Sequence, residues 1–374
     1  MTTTLPLAKT KLETTYTSTE DKLLAGAMDR LLQFQKEGVL YPQSLQLAPE
    51  DKCSMDCTWC STKWREHEYT QTPDDPSKVV IGEKKKVINQ ISFNDIKKVV
   101  TDLMQWGTLK TVELTGGGDP TMYRCRETGK NINDVIDLLH DHFGLQVGMI
   151  TNGMGLNKIV KQEQLDKLTW LRCSLASFDP QNFKTNNDGS KNAQLQDKFP
   201  DLPKHIKGQL GFSYVWGPFS RPEILDKIAD YAKQNQVDFV RVVPDCLNAE
   251  KQGSFRTEVG ALIKKFNEKI GREVMFFQAK RYDVYPKCYV GKIKPFLNAD
   301  GYFYQCSAVP LYNQAFTPWW RAGHLSEVNK IWSKENMKSF DTSKCVTGKC
   351  FYFSQNEVLE HVRSENQGVH KDFI

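Results

Sequence analysis

The chain has ten cysteines in 374 residues, and their spacing is the first sign of chemistry. Residues 53–60 read Cys-Ser-Met-Asp-Cys-Thr-Trp-Cys, which puts Cys53, Cys57 and Cys60 in one short loop. Thiolates this close suit a single soft-metal centre, zinc, copper(I) or iron–sulfur. A structural zinc site wants four ligands, whereas a [4Fe–4S] cube held by three thiolates keeps one iron open. A second group, Cys288, Cys306, Cys345 and Cys350, makes a complete four-thiolate set for zinc or for a fully ligated cluster. Gly116, Gly117, Gly118 and Asp119 form a glycine run that allows close backbone approach to a ligand, with an acid able to accept from an ammonium; a plain turn is the alternative. Of the remaining cysteines, Cys125 and Cys173 read as small apolar residues. Cys246, just past a predicted strand, is a candidate catalytic hydrogen-atom donor or relay.

These residues need a scaffold, and the chain between them alternates strand and helix patterns. Ser44 to Pro49 reads as a short strand that Pro49 ends, directly before the cysteine loop. Ser92 and Asp95 resemble a helix cap, followed by Ile96, Val99, Val100, Leu103 and Met104 along one face. Predicted strands follow at 111–114, 145–151, 170–177, 211–216 and 237–243, with helices between them. The last reads Val-Asp-Phe-Val-Arg-Val-Val, the near-continuous apolar run of a buried parallel strand. Arg241 interrupts it and needs a partner; an interior carboxylate, a cofactor carboxylate or a substrate anion would each serve. Six βα units from Leu45 to Val243 predict an α/β fold, a partial, open (β/α)6 barrel of TIM-like type. Residues 1–20 read as loose or extended, 20–36 as a covering helix, and 62–90 and 179–207 as polar surface excursions. Beyond a strand at 274–277, short strands at 293–297 and 302–305 are joined by the turn Asn298-Ala299-Asp300-Gly301. The expected division is 1–43, an N-terminal segment; 44–280, the barrel; and 281–374, a small cysteine-bearing subdomain and tail.

Composition excludes several classes. Hydrophobic content of 39% and a net charge of +5, from 50 basic and 45 acidic residues, describe an ordinary globular protein. No apolar run approaches the roughly 20 residues of a membrane span, and the first residues lack a signal-peptide core. A cytoplasmic protein with no membrane partner is the expectation. In that compartment cysteines serve metals or chemistry rather than disulfides.

The C-x3-C-x2-C triplet, with Trp59 before its third cysteine, resembles the signature of the radical S-adenosylmethionine (radical SAM) superfamily. The run at 116–119 resembles that family's second motif, with an extra glycine and Asp for the commoner Glu. The spacing from Cys288 through Gly301 to Cys306 resembles its auxiliary-cluster subdomain, of which the four cysteines suggest the short twitch form rather than the longer SPASM form. The resemblance spans residues 44–352. It implies a [4Fe–4S] cluster on Cys53, Cys57 and Cys60 and S-adenosylmethionine at its open iron. It places Trp59 beside the adenine, Gly116, Gly117, Gly118 and Asp119 at the methionine amino group, and Asn152, Ser174 and Ser177 near the nucleoside. Arg241 is a further cofactor-binding candidate. A second [4Fe–4S] cluster would take Cys288, Cys306, Cys345 and Cys350, with Trp332, Phe351 and Tyr352 packing around it.

The implied activity is reductive cleavage of S-adenosylmethionine and hydrogen-atom abstraction from an unactivated C–H bond, the auxiliary cluster assisting electron transfer. A flavodoxin or ferredoxin would supply the electron. Implied substrates are a peptide or a nucleotide or DNA base. From another class, the alternative is a zinc- or cluster-stabilised nucleic-acid-binding protein without catalysis, although no RNA- or DNA-binding signature is evident.

Overall fold

The computed structural model describes residues 10–17, 20–76, 78–178, 182, 202–278, 287–313, 315–338 and 350–363. Its strands are β1 (Ser44–Leu47), β2 (His67–Gln71), β3 (Val79–Lys84), β4 (Thr111–Leu114), β5 (Gln146–Thr151), β6 (Leu168–Ser174), β7 (Gln209–Trp216), β8 (Phe239–Pro244), β9 (Met275–Phe277), β10 (Phe296–Leu297), β11 (Tyr302–Tyr304) and β12 (Arg321–His324). Ten of them form one sheet in the order β12-β11-β10-β1-β4-β5-β6-β7-β8-β9, and β2 pairs with β3 apart. Every pairing from β10 to β9 is parallel, while β10–β11 and β11–β12 are antiparallel. Among the described residues the sheet has no strand beyond β12 or β9, an open, partial barrel.

Strand alternation decides what faces where. Leu45 and Leu47, Val112 and Leu114, Val147 and Met149, Leu171 and Cys173, Leu210 and Phe212, and Val240 and Val242 are buried in the main apolar core. The alternate positions, Gln46, Glu113, Ile150, Trp170, Arg172, Ser174, Arg241 and Val243, line a cavity of about 680 Å³. With a side-chain period of two, one register packs beneath helices and the other is free to carry chemistry. Helix Phe93–Met104 shows why the covering layer forms. Ser92 Oγ accepts from Asp95 N at 3.0 Å as its cap, and Ile96, Val99, Val100 and Leu103 are fully buried. Burying such side chains contributes roughly 1.5–3 kcal/mol each.

Four expectations need correction. Residues 1–20 are not simply loose: Lys11–Tyr16 is a helix capped by Thr10, and Tyr16 stacks on Phe239 with centroids 4.5 Å apart. This anchor is non-local and invisible in the Thr-rich composition. Within 62–90 lies the β2–β3 ribbon, where half-buried His67, Tyr69 and Gln71 alternate with exposed residues. The barrel sheet runs beyond the six strands expected from Leu45 to Val243, because β9 adds to β8 as a further parallel strand. Residues 293–297 are not one strand: a helical turn, Val290–Ile293, precedes the two-residue β10. Among the described residues no helix is long and apolar enough to cross a membrane.

Candidate metal and cofactor site

The cysteine loop leaves the C-terminal end of β1 and is held from three sides. Arg65, 6% exposed, donates to the carbonyls of Asp51 (2.9 Å), Thr62 (3.1 Å) and Met55 (3.3 Å), and one guanidinium nitrogen lies 3.6 Å from Cys60 Sγ. Asn182 accepts from Asp56 N and Thr58 N and donates to Ala176 O, tying the loop to the end of β6. Thr62 Oγ1 donates to Gly117 O at 2.9 Å. Lys85, beyond the β2–β3 ribbon, donates to Arg65 O at 3.0 Å.

The glycine run packs directly on this loop. A Cβ at Gly118 would collide with the carbonyls of Glu50 and Lys52, and one at Gly116, where φ is +156°, would stand 2.6 Å from Ala48 Cβ. The run is therefore packed tightly against the loop that carries the thiols.

Burial pushes the Cys53 thiol up to about 11 and Cys57 well above the usual range, with mutual repulsion among the three thiolates adding to it and Arg65 opposing. Cys53 and Cys57 ionise readily only when a cation neutralises them, which is what a metal centre provides. Among the described residues, no three or more His, Cys, Asp or Glu side chains are drawn together as a single ion would need.

Asp119 does something other than wait for an ammonium. Its carboxylate, in a residue 3% exposed, accepts from Thr121 N (3.0 Å), Thr121 Oγ1 (2.7 Å), Thr151 Oγ1 (2.9 and 3.0 Å) and Asn152 N (2.6 Å). Four donors fill its acceptor capacity. Gly116, Gly117, Gly118 and Asp119 all line the cavity. Asn152 carries the link onward: its amide donates to Ser54 Oγ at 3.1 Å and lies 3.6 Å from Cys53 Sγ.

Trp59 stacks on Phe219 (4.4 Å, 17°) and packs with Met55, Met154 and Ala176 at one wall of the cavity. Ser174, Arg241 and Cys246 also line it. The Ser177 side chain lies outside the described residues. Cys125 and Cys173 are buried in the main core, as small apolar residues should be.

The C-terminal cysteines form a second neighbourhood. Cys288 and Cys350 both raise the Cys306 thiol, whose largest push is burial. Asn356 bridges the group, accepting from Tyr289 N and Val290 N while its amide lies 3.7 Å from Cys350 Sγ. Cys345 lies outside the described residues. Phe351 and Tyr352 line the main cavity. Trp332 is not at this site: it packs in the main core against Phe303 and Trp106, its indole N–H donating to Lys292 O.

Sequence reading missed Arg65, Arg172, Glu113 and Lys294. The signal for Arg172 was present, since Trp170, Arg172 and Ser174 repeat at the same period of two as the residues facing the cavity. Arg65 and Lys294 had no comparable signal, because both depend on contacts distant in sequence.

This fold is shared with solved structures of low sequence identity. Among solved structures, the chain is similar to Streptococcus suis SuiB bound to the precursor peptide SuiA, at 12% identity and a TM-score of 0.52, covering 93% of this chain and 79% of that one. It is similarly related to SuiB bound to S-adenosylmethionine (12% identity, TM-score 0.51, 94% and 81% covered). At that identity the likeness is one of fold. No protein-family model matches the sequence, and no curated protein matches it.

Proposed function

We propose that the protein is a radical SAM enzyme in which Cys53, Cys57 and Cys60 hold a [4Fe–4S] cluster and the adjoining cavity receives S-adenosylmethionine and a substrate. The observation that carries this is the joint placement of the thiol loop, the collision-tight glycine run and Asn152 at one end of the cavity. When bound, the cluster and S-adenosylmethionine supply an adenosyl radical able to take hydrogen from an unactivated C–H bond; orientation and exclusion of side reactions belong to the protein. Arg65 offsets thiolate charge and fixes the loop. The glycine-run backbone offers carbonyls to a ligand ammonium, Ser174 and Asn152 offer hydrogen bonds from the strand ends, and Trp59 offers an aromatic face. Cys246 at the cavity wall is a candidate hydrogen donor.

Cys288, Cys306 and Cys350, with Cys345, are proposed to hold a second [4Fe–4S] cluster that assists electron transfer, a flavodoxin or ferredoxin serving as reductant. The substrate is a peptide or a nucleotide or DNA base; the peptide-bound form of the structurally similar SuiB supports the former. Metal analysis of anaerobically purified protein tests the assignment. About eight irons and eight sulfides per chain are expected for two clusters. About four irons would remove the second cluster, and zinc without iron would favour the metal-stabilised binding protein.

A further inference from the structure

The cavity below the cysteine loop holds more positive charge than the fold uses. Glu113 on β4 is already engaged, by Lys294 at 3.2 Å and by the Gln46 amide at 3.1 Å. Arg172 on β6 and Arg241 on β8 line the same cavity, and the buried Nε of each has no hydrogen-bond partner among the described residues. No carboxylate of the described residues pairs with either guanidinium. Burial first, and then repulsion from Arg172, pulls Arg241 well below its ordinary value. Three cations thus face one carboxylate. Half-buried charge without an ion-pair partner of its own is costly, and among the described residues the Glu113 carboxylate, already engaged, is the one acid that partly offsets it.

The placement is also orderly. Arg172 is in register with Gly211, and Arg241 with Ser213, both on the intervening β7. The two arginines therefore stand two strands apart, about 9–10 Å across the sheet, and are offset by two residues, about 7 Å, along it, a span that two long side chains can bridge. Arg172 lies two residues before Ser174 at the β6 end, about 7 Å below the rim. Trp170 fixes its guanidinium from one side, 5.7 Å from the ring centroid, and leaves its edge free for a planar, bidentate partner.

We propose that Arg172 and Arg241 form a binding site for a compact, doubly charged oxyanion of the substrate, a phosphate monoester or a pair of neighbouring carboxylates. Calling the ligand the substrate rests on the radical SAM reading; the anion site itself does not. Two charges match the two cations that Glu113 leaves unneutralised, and a forked guanidinium pair suits such an anion better than a neutral group.

The test uses full-length, anaerobically purified protein with its metal content intact, titrated calorimetrically at fixed ionic strength with orthophosphate, succinate and acetate. At least one dianion is expected to bind saturably and to raise Tm, with acetate far weaker. Stronger phosphate binding identifies a phosphate monoester, stronger succinate binding a dicarboxylate. The double variant Arg172→Met/Arg241→Met is expected to lose about tenfold or more in affinity, and to melt higher than wild type when ligand-free because two unpaired charges are gone. Should that variant not fold, Arg172→Lys and Arg241→Lys singly are expected to weaken the same binding, since an ammonium lacks the fork. No saturable dianion binding, acetate binding equal to the dianions, or full binding by the folded variant would overturn the proposal. Deoxyadenosine formation is measured on the same wild-type preparation. Anion binding without deoxyadenosine defeats the radical reading and leaves this site standing, and the reverse outcome defeats only the site.

Discussion

The carboxylate of Asp119 accepts the backbone N–H of Asn152 at 2.6 Å, joining the end of the glycine run to the end of β5. Because the Asn152 amide then reaches Ser54 and Cys53, one buried acid sets the distance between the glycine run and the first thiol. Three neighbouring loops act as one unit through this pair.

Replacing Asp119 by Ala strands the Thr121 and Asn152 amides and the Thr151 hydroxyl. Buried donors without partners cost roughly 1–3 kcal/mol each, so Asp119→Ala should lose about 3–5 kcal/mol in chemical denaturation. Asp119→Asn, which keeps one acceptor, should lose less. Equal losses would mean that the carboxylate is not the organising group.

Gly118→Ala should expel the cysteine loop from its seat, because its Cβ would occupy the space of the Glu50 and Lys52 carbonyls. The expected outcome is a large fall in iron per chain with the far-ultraviolet circular dichroism unchanged. Full iron content in this variant would contradict the close packing described.

Arg65→Met removes the cation beside Cys60 together with three carbonyl contacts. Outer partners of metal ligands are typically worth roughly 10–100-fold in affinity, and iron loss to a chelator should accelerate accordingly. Arg65→Lys should recover only part, since an ammonium cannot span three carbonyls.

Lys292 provides a pH test. It is 5% exposed, and burial pushes its ammonium down to about 8 from the ordinary 10.5. The folded state therefore holds this proton more weakly than the unfolded chain. Its contribution to stability is fully present only above 10.5 and is lost as pH falls through 8, on the order of 3 kcal/mol over that window. Lys292→Met should be more stable than wild type at pH 7, and the gap should shrink or reverse towards pH 10. A gap independent of pH, measured by thermal unfolding, would contradict it.

Much of this was legible in the sequence, for physical reasons. The parallel sheet announced itself in runs such as Phe239 to Val243, and the helix over 93–104 in its cap and apolar face. The cysteine loop was legible because its residues are local. The hydrogen bonds of Asp119 to Thr151 and Asn152 were hidden because those partners lie a full βα unit away. Tyr16 on Phe239 and Lys294 on Glu113 were hidden for the same reason, each being a pairing across more than 150 residues. Arg241 was recognised as needing a partner, but Arg172, its neighbour in the cavity, became visible only once alternate residues of β6 were placed on that face.

The most direct test of the central claim is deoxyadenosine formation by the anaerobic, dithionite-reduced protein with S-adenosylmethionine, beside Cys57→Ala. The account predicts deoxyadenosine from the wild type and none from the variant. No product from an iron-replete wild type, or equal product from Cys57→Ala, would contradict it.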